Sequence, residues 1–428
     1  MSTHDFDTID FLKPGPYYQN PHPYFDYLRA RAPVWREPHH GVIMVTGHDE
    51  CSEVYKDSVT YSNAALMAGP FARWPVPLEG DDISAIIEQY RDQLPLSDQL
   101  VTFDPPKHTA HRALLGRLIT PKRLAENEEF LLRLADRQIA EFVERGECEF
   151  VRDYANPFTL LGIADLLGVP EQHHHEFRDS LQHKEQQHAA KDRSRVDHKP
   201  LEYLYRRFTD FIEDRRRQPQ NDVLTQLATA TFPDGTLPSV QDVMVLASGL
   251  FAAGQETTAR LLGVMLQYIG ERPQLQQLLR EDRSKIPRFV EECLRLSTPI
   301  QADFRLARRA TTLGGLDVAP GTSVMVIPAA ANRDPRRFED PHELHIDRPN
   351  ARTHLAFASG IHSCAGAPLA RTEARISTER LLDCMADIRV SDKHHGPPGA
   401  RSYEYPKTFI LRGHNYLHLE FTPVKERA

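Results

Sequence analysis

The chain has 428 residues, and 52 lysines and arginines against 60 aspartates and glutamates leave a net charge of −8 with every histidine neutral. So mild an acidity excludes the dense basic face with which a nucleic-acid-binding protein neutralises phosphates, and it offers no polybasic membrane patch. With 40% hydrophobic and 26% charged residues, the composition is that of a soluble globular chain able to bury a large core.

Residues 1–6 carry neither a basic region nor an apolar run, so neither a secretory signal nor a membrane anchor is expected, and the expected location is the cytoplasm. The run at 41–46 predicts a strand and residues 49–55 a helix. Between Tyr61 and Asp104, Pro70, Pro75, Pro77 and Pro95 are interspersed with Met67, Phe71, Trp74 and Ile86, which suits a lid or binding loop better than a plain connector. From 107 to about 167, with a break at Pro121, apolar residues at Leu114, Leu115 and Leu118, then Phe130, Leu131, Leu134, Ile139 and Phe142, predict helices.

Residues 172–199 are very polar, with His173, His174, His175, His183, His188 and His198, and an exposed segment is expected there. Ser239 with Asp242 three positions on predicts the N-cap of a helix continuing to about Gly270, roughly 50 Å long. Its most apolar part, 243–254, stops at Gln255 and Glu256, short of the ~18 residues a membrane span needs. After Arg295 come short strand candidates, including 322–327, then proline-rich coil over 332–349, a helix from Ala367 and final short strands. No repeat or low-complexity linker divides the chain. The expectation is one mainly α domain over 1–428 with a smaller β part (α+β), the strands lying mainly within 30–60, 300–330 and 385–425.

The five cysteines, at 51, 148, 293, 364 and 384, have no Cys-x-x-Cys zinc or redox spacing, so any thiol acts alone. Cys364 stands in Phe357-Ala-Ser-Gly360-Ile-His362-Ser-Cys364-Ala-Gly366, followed by a helical run. That places its sulfur near a helix N-terminus, where unpaired N–H groups stabilise a thiolate, and Gly360 and Gly366 permit close approach to a flat ligand. A shorter Gly-x-x-x-Cys-x-Gly would equally describe a turn with a structural cysteine.

The full string resembles the cysteine-ligand signature of the cytochrome P450 family, Phe-x-x-Gly-x-His-x-Cys-x-Gly, at every fixed place. The resemblance implies the P450 fold, a long central helix over haem b (iron protoporphyrin IX), and iron held by the Cys364 thiolate. It also implies that His362 bonds a haem propionate and that Phe357 packs near the thiolate. Ala358 departs from the second glycine common in bacterial members, which bears on local backbone geometry only.

In Ala253-Gly254-Gln255-Glu256-Thr257-Thr258 a carboxylate and hydroxyls interrupt an apolar helix, where they cost free energy unless they have a partner or a task. The resemblance implies that Gly254 opens space for dioxygen in a locally loosened helix, that Thr257 hydrogen-bonds the oxygen and that Glu256 delivers protons as a general acid. Gln255 stands where histidine is frequent. Glu292 and Arg295, at i and i+3, mean little alone, because exposed pairs of this kind are common and weak. In the family such a pair is buried and completed by a second arginine, matched by Arg348, as a structural lock. His108 and Arg112, at i and i+4, together with Arg305, match propionate-binding positions, and 331–335 matches a further family string.

A histidine-rich metal-binding protein or metal-dependent hydrolase is the reading from another class, but no His-Glu-x-x-His, Gly-x-Ser-x-Gly or phosphate-loop string accompanies it. A peroxide-using peroxygenase is the rival within the haem reading. Glu256 and Thr257 favour a monooxygenase that takes O2 and two electrons delivered singly. Only 64 residues follow Cys364, too few for a flavin domain, so the expected electron source is a ferredoxin with its NAD(P)H ferredoxin reductase. Arg112, Arg117, Lys122 and Arg371 are candidate cations for that partner, and equally ordinary surface residues. By family position the pocket draws on Phe71, Trp74, Leu250, Phe251, Ala253, Ile300, Phe304, Phe409 and Ile410, apolar side chains suited to hydroxylating a lipophilic small molecule. The histidine-rich stretch falls where the family's mobile roof helices lie, and a monomer is expected.

Overall fold

The computed structural model describes residues 6–116, 119–177 and 199–424. Helices make up about 52% of the chain, with a smaller sheet part. The chain forms two compact units, the first from residues 1–108, 263–364 and 390–417, the second from 109–262, 365–389 and 418–428.

In the first unit a five-stranded sheet runs in the order Val34–Arg36, Ile43–Val45, Ser323–Val326, Asp303–Ala307, Tyr61–Ser62. Ile43–Val45 pairs parallel with Ser323–Val326, and the other pairings are antiparallel. Ile43–Val45 is apolar throughout and Ser323–Val326 is apolar after its first residue, because both faces are covered, and their alternation assigns the faces. Ile43, Val45, Val324 and Val326 pack with Cys51, Val54 and Tyr55 of the helix His48–Lys56. Met44, Met325 and Phe304 point the other way, into a cluster with Phe11 and Phe25. The stretch after Tyr61 is partly regular, containing the helix Ser84–Tyr90. Its far end is tied down by buried Asp104, which accepts from Ser62 Oγ at 2.5 Å, Asn63 N at 2.9 Å and Arg91 Nη2 at 2.8 Å.

The second unit is built on helices, among them Pro121–Ala140, Asn156–Leu166 and Ala367–Cys384. The helix expected over 107–167 is interrupted by more than the break at Pro121. Gly146, at φ +68°, turns the chain out of Val143–Arg145 into the strand Glu147–Glu149, which pairs with His418–Pro423. A π-turn over Val151–Ala155 follows, its start capped by the Glu149 carboxylate, which accepts from Val151 N at 3.1 Å and Arg152 N at 2.9 Å. Phe150, Tyr154 and Phe158 stack in sequence, with centroids 5.4 and 5.1 Å apart, and form part of this unit's core.

The long helix is Val240–Glu271, 32 residues. Its start is a reciprocal cap, with Asp242 N donating to Ser239 Oγ at 3.0 Å and Ser239 N donating to Asp242 Oδ2 at 3.1 Å. Of the histidine-rich stretch, His173 pairs with Glu176 and His174 is buried against the edge of Phe130. His183, His188 and His198 lie outside the described residues. Among the described residues no group of three potential metal ligands forms, and no helix is long and apolar enough to cross a membrane.

Candidate active site

In the first unit the loop before Cys364 is shaped by backbone constraints. Gly360, at φ +72°, lies so close to the chain of Tyr55 that a Cβ there would come within 2.4 Å of the Tyr55 carbonyl oxygen, so only glycine fits. Ala358 adopts φ +54°, the left-handed region that a Cβ disfavours. The departure from glycine noted in the sequence therefore falls at a position whose geometry still asks for glycine. Cys364 N donates to Phe357 O at 2.9 Å, closing the loop, and the Phe357 ring lies 5.8 Å from that of His354.

Cys364 is exposed, whereas Cys51, Cys148 and Cys293 are buried. Burial pushes those three thiols well up and keeps them protonated. His108, buried, and His362 bring their rings to 4.1 Å. Arg305, on the sheet strand Asp303–Ala307, is buried and donates from Nη1 to Asp303 Oδ1 and Phe304 O, both at 2.7 Å. Burial pushes the Asp303 carboxyl up, against the Arg305 charge and the Tyr55 hydroxyl that bonds it at 2.7 Å. The exposed Cys364 thiol, two clustered imidazoles and a sequestered guanidinium are a donor set that fits a thiolate-ligated haem with two carboxylates.

Glu292, Arg295 and Arg348 are brought together in the same unit. Arg295 Nε and Nη2 donate to the two Glu292 oxygens, each at 2.8 Å, and Arg348 Nε donates to Oε1 at 2.9 Å. His345 N adds a bond at 3.0 Å, and the remaining Arg295 protons reach the carbonyls of Asn332, Pro341 and Glu343. Burial would raise the Glu292 carboxyl, but the Arg295 hydrogen bonds and charge outweigh it, and the carboxyl ends below its usual value.

In the second unit the central helix runs unbroken through 253–258, without the local loosening that the resemblance implies. Thr257 Oγ1 donates to Ala253 O at 2.9 Å, which satisfies the hydroxyl within the helix. Glu256 is 51% exposed and pairs with Arg260, a partner already visible in the i, i+4 spacing. Gly254 has a packing role as well, since a Cβ there would press on Ile163 at 3.3 Å. Arg112 is half-buried on the helix Lys107–Leu115.

The pocket candidates divide. Phe71 is 56% exposed, while Trp74 packs on a cluster with Ile83 and Ile87. Phe304 meets Phe409 edge-on at 6.0 Å in the core of the first unit, and Gln301 N donates to Ile410 O at 2.6 Å beside the bridge between Ile300 and Leu411. Phe251 is buried against Phe177 at 5.2 Å and Phe208 at 6.1 Å, and so serves the core of the second unit. Leu250 is half-buried and Ala253 exposed. The sequence reading missed Glu373, 1% exposed on the helix Ala367–Cys384.

A family profile described as Cytochrome P450 matches residues 176–384. The chain is similar to the Vitamin D(3) 25-hydroxylase of Pseudonocardia autotrophica, with 32% identity over 414 residues, 96% of each chain. It is 30% identical to Cytochrome P450 109 of Bacillus spizizenii over 374 residues, 86% of this chain and 85% of that one. Among solved structures it matches Mycobacterium marinum cytochrome P450 CYP150A6 in its substrate-free form at TM-score 0.93 and 53% identity, over 98% of this chain and 100% of the other. CYP109E1 of Bacillus megaterium in complex with testosterone matches at TM-score 0.76 and 26% identity, over 94% and 99%. The chain belongs to the cytochrome P450 family. It is a bacterial member, an oxidoreductase of the monooxygenase type with a haem cofactor.

Proposed function

We propose that the whole chain acts as one monooxygenase domain that hydroxylates a lipophilic small molecule. Its haem b is ligated by Cys364, and its electrons come from a cytoplasmic ferredoxin and NAD(P)H ferredoxin reductase. The observation that carries this reading is the exposed Cys364 on a glycine-constrained loop, in the unit that also pairs His108 with His362 and buries Arg305. When bound, the haem supplies the redox chemistry of dioxygen activation.

The protein's own part is positional and protic. Cys364 offers a thiolate at the start of the helix that follows it, and His108, His362, Arg112 and Arg305 hold the propionates. Phe357 packs beside the thiolate, and Gly366 lets the backbone turn into that helix. Glu256, exposed, takes protons from water and relays them inward as a general acid, Thr257 presents its hydroxyl to the oxygen, and Gly254 leaves room for it. Glu292, Arg295 and Arg348 hold the framework and take no part in the reaction. Lys122, Arg112 and Arg371 are the proposed contacts for an acidic redox partner, and Arg117 lies outside the described residues. The protein works as a monomer.

A lipophilic substrate agrees with the apolar character of Leu250, Ile300 and Ile410, with a hydroxylase among the relatives and with a steroid complex among the structural matches. The test is an optical titration of the ferric protein with terpenoids, steroids, fatty acids and small aromatics, followed by turnover under isotopically labelled dioxygen. A compound that shifts the spin state and gains one labelled oxygen supports the reading. Oxygen drawn from peroxide at undiminished yield without any reductase overturns it in favour of a peroxygenase.

A further inference from the structure

Two buried groups of the first unit, Glu291 and His354, are tied to the cysteine loop, and no role assigned above uses them. His354 opens the run that leads to Cys364, and Glu291 stands on the helix Ile286–Leu296, next to Glu292. Their side chains are 1% and 4% exposed. His354 Nε2 lies 3.1 Å from Glu291 Oε2, and Ala356 N donates to Nδ1 of the same ring at 3.2 Å. An amide N–H donates only to a ring nitrogen that carries no proton, so the ring proton sits on Nε2 and is donated to the carboxylate. Glu291 thereby fixes the tautomer that the Ala356 amide requires. The neighbouring Glu292 holds His345 N and Arg348, so adjacent glutamates on one helix serve different segments of the chain.

The turn that His354 opens has its amides taken by specific acceptors. His354 N donates to Ala351 O at 3.2 Å, Leu355 N to Asn332 Oδ1 at 2.6 Å and Ala358 N to Leu355 O at 3.0 Å, while Ala356 N has the imidazole. At the end of the turn Ala358 sits at φ +54°, a conformation its Cβ disfavours and its surroundings must hold. Between these points Phe357 O accepts from Cys364 N at 2.9 Å, and the Phe357 ring lies 5.8 Å from that of His354.

Given the reading of Cys364 as the haem ligand, we propose that His354, held by Glu291, is a positioning residue for the cysteine loop, acting through Ala356 N and Phe357. Without the ring acceptor the half-buried Ala356 amide loses its partner, a cost that the turn relieves by shifting. Phe357 then presents both its carbonyl and its ring differently to Cys364.

The test uses the haem-loaded protein and two readouts, the equilibrium reduction potential and the iron–sulfur stretch of the ferric state in resonance Raman. A framework contact remote from the loop moves neither. His354→Leu should shift the potential and displace or broaden the stretch. His354→Asn should hold both near the wild type, because an asparagine carbonyl accepts from the amide two residues on, as the imidazole does. Glu291→Met, with His354 in place, should move both in the same direction by a smaller amount, since the ring proton is then released to Nδ1, against the Ala356 amide. Should His354→Leu fail to fold, Glu291→Met set against His354→Asn carries the comparison. Values in His354→Leu and Glu291→Met that match the wild type overturn the proposal, as does a His354→Asn variant shifted as far as His354→Leu. The reduced carbon monoxide spectrum of the wild type is recorded alongside. If it lacks the thiolate band, the reading of Cys364 fails and the positioning with it, whereas a thiolate band with unmoved potentials removes the positioning alone.

Discussion

Glu292 and Glu373 are both buried glutamates on helices, at 0% and 1% exposure, yet the two units hold them in opposite states. Around Glu292 the first unit gathers Arg295, Arg348 and a backbone N–H, so the acid is ionised and its carboxyl lies below the usual value. Around Glu373, among the described residues, no ion pair forms and neither carboxyl oxygen has a hydrogen-bond partner, and burial drives the carboxyl the other way. The difference separates a group that fixes architecture from one whose protonation is free to matter. A carboxylate held by four hydrogen bonds, three of them from arginines, cannot take up a proton without dismantling its surroundings, whereas a neutral acid without an ionic partner can change state with small movements.

The sharpest break of this contrast is Arg295→Ala, which leaves Glu292 buried without its main partner. A loss of about 3–5 kcal/mol is expected in chemical denaturation, or failure to fold at all. Glu373→Gln, in comparison, should unfold within about 1 kcal/mol of the wild type at acid pH, where the acid is neutral in both folded and unfolded chains.

The pH dependences should then run in opposite directions. For Glu292 the folded carboxyl lies below the unfolded value of about 4.3, so its stabilisation is present above that pH and is lost as pH falls through the folded value. For Glu373 the folded carboxyl lies above the unfolded value, so its contribution is full below about pH 4.3 and is lost as pH rises towards the folded value. Denaturation midpoints across pH should show Glu373→Gln gaining on the wild type as pH increases, and a constant difference would contradict the neutral acid.

On the functional side, Thr257→Ala should leave NAD(P)H consumption in place while diverting most of it to peroxide, read as the ratio of product to peroxide. Unchanged coupling would count against its role. The smallest effect is expected at Ala358, whose φ of +54° suits glycine. Ala358→Gly should raise stability by roughly 0.5–1 kcal/mol after the entropy of the unfolded glycine is allowed for, measurable as a higher Tm.

Features set by neighbouring residues were legible in the sequence. The cysteine loop, the cap of Ser239 with Asp242 and the i, i+3 spacing of Glu292 and Arg295 each declare themselves within a few positions. What stayed hidden depends on packing between distant segments. Glu147–Glu149 is a strand because His418–Pro423 pairs with it, and three residues carry too little alternation to announce that. Glu373 reads as one more glutamate on a charged helix until the fold buries it against Gly162. Phe251 was placed by family position in the pocket, but its ring belongs to a cluster with Phe177 and Phe208 that only the fold assembles. The pairing of Glu256 with Arg260 was available from spacing alone and marks that acid as solvent-facing.

The most direct test of the thiolate assignment is the optical spectrum of the reduced carbon monoxide complex, recorded for the wild type and for Cys364→Ser. A cysteine-ligated haem predicts the shifted Soret band of a thiolate complex in the wild type and its loss in the variant. A shifted band that survives in Cys364→Ser, or a haem-loaded wild type that never shows it, would contradict the assignment of Cys364 and the monooxygenase built on it.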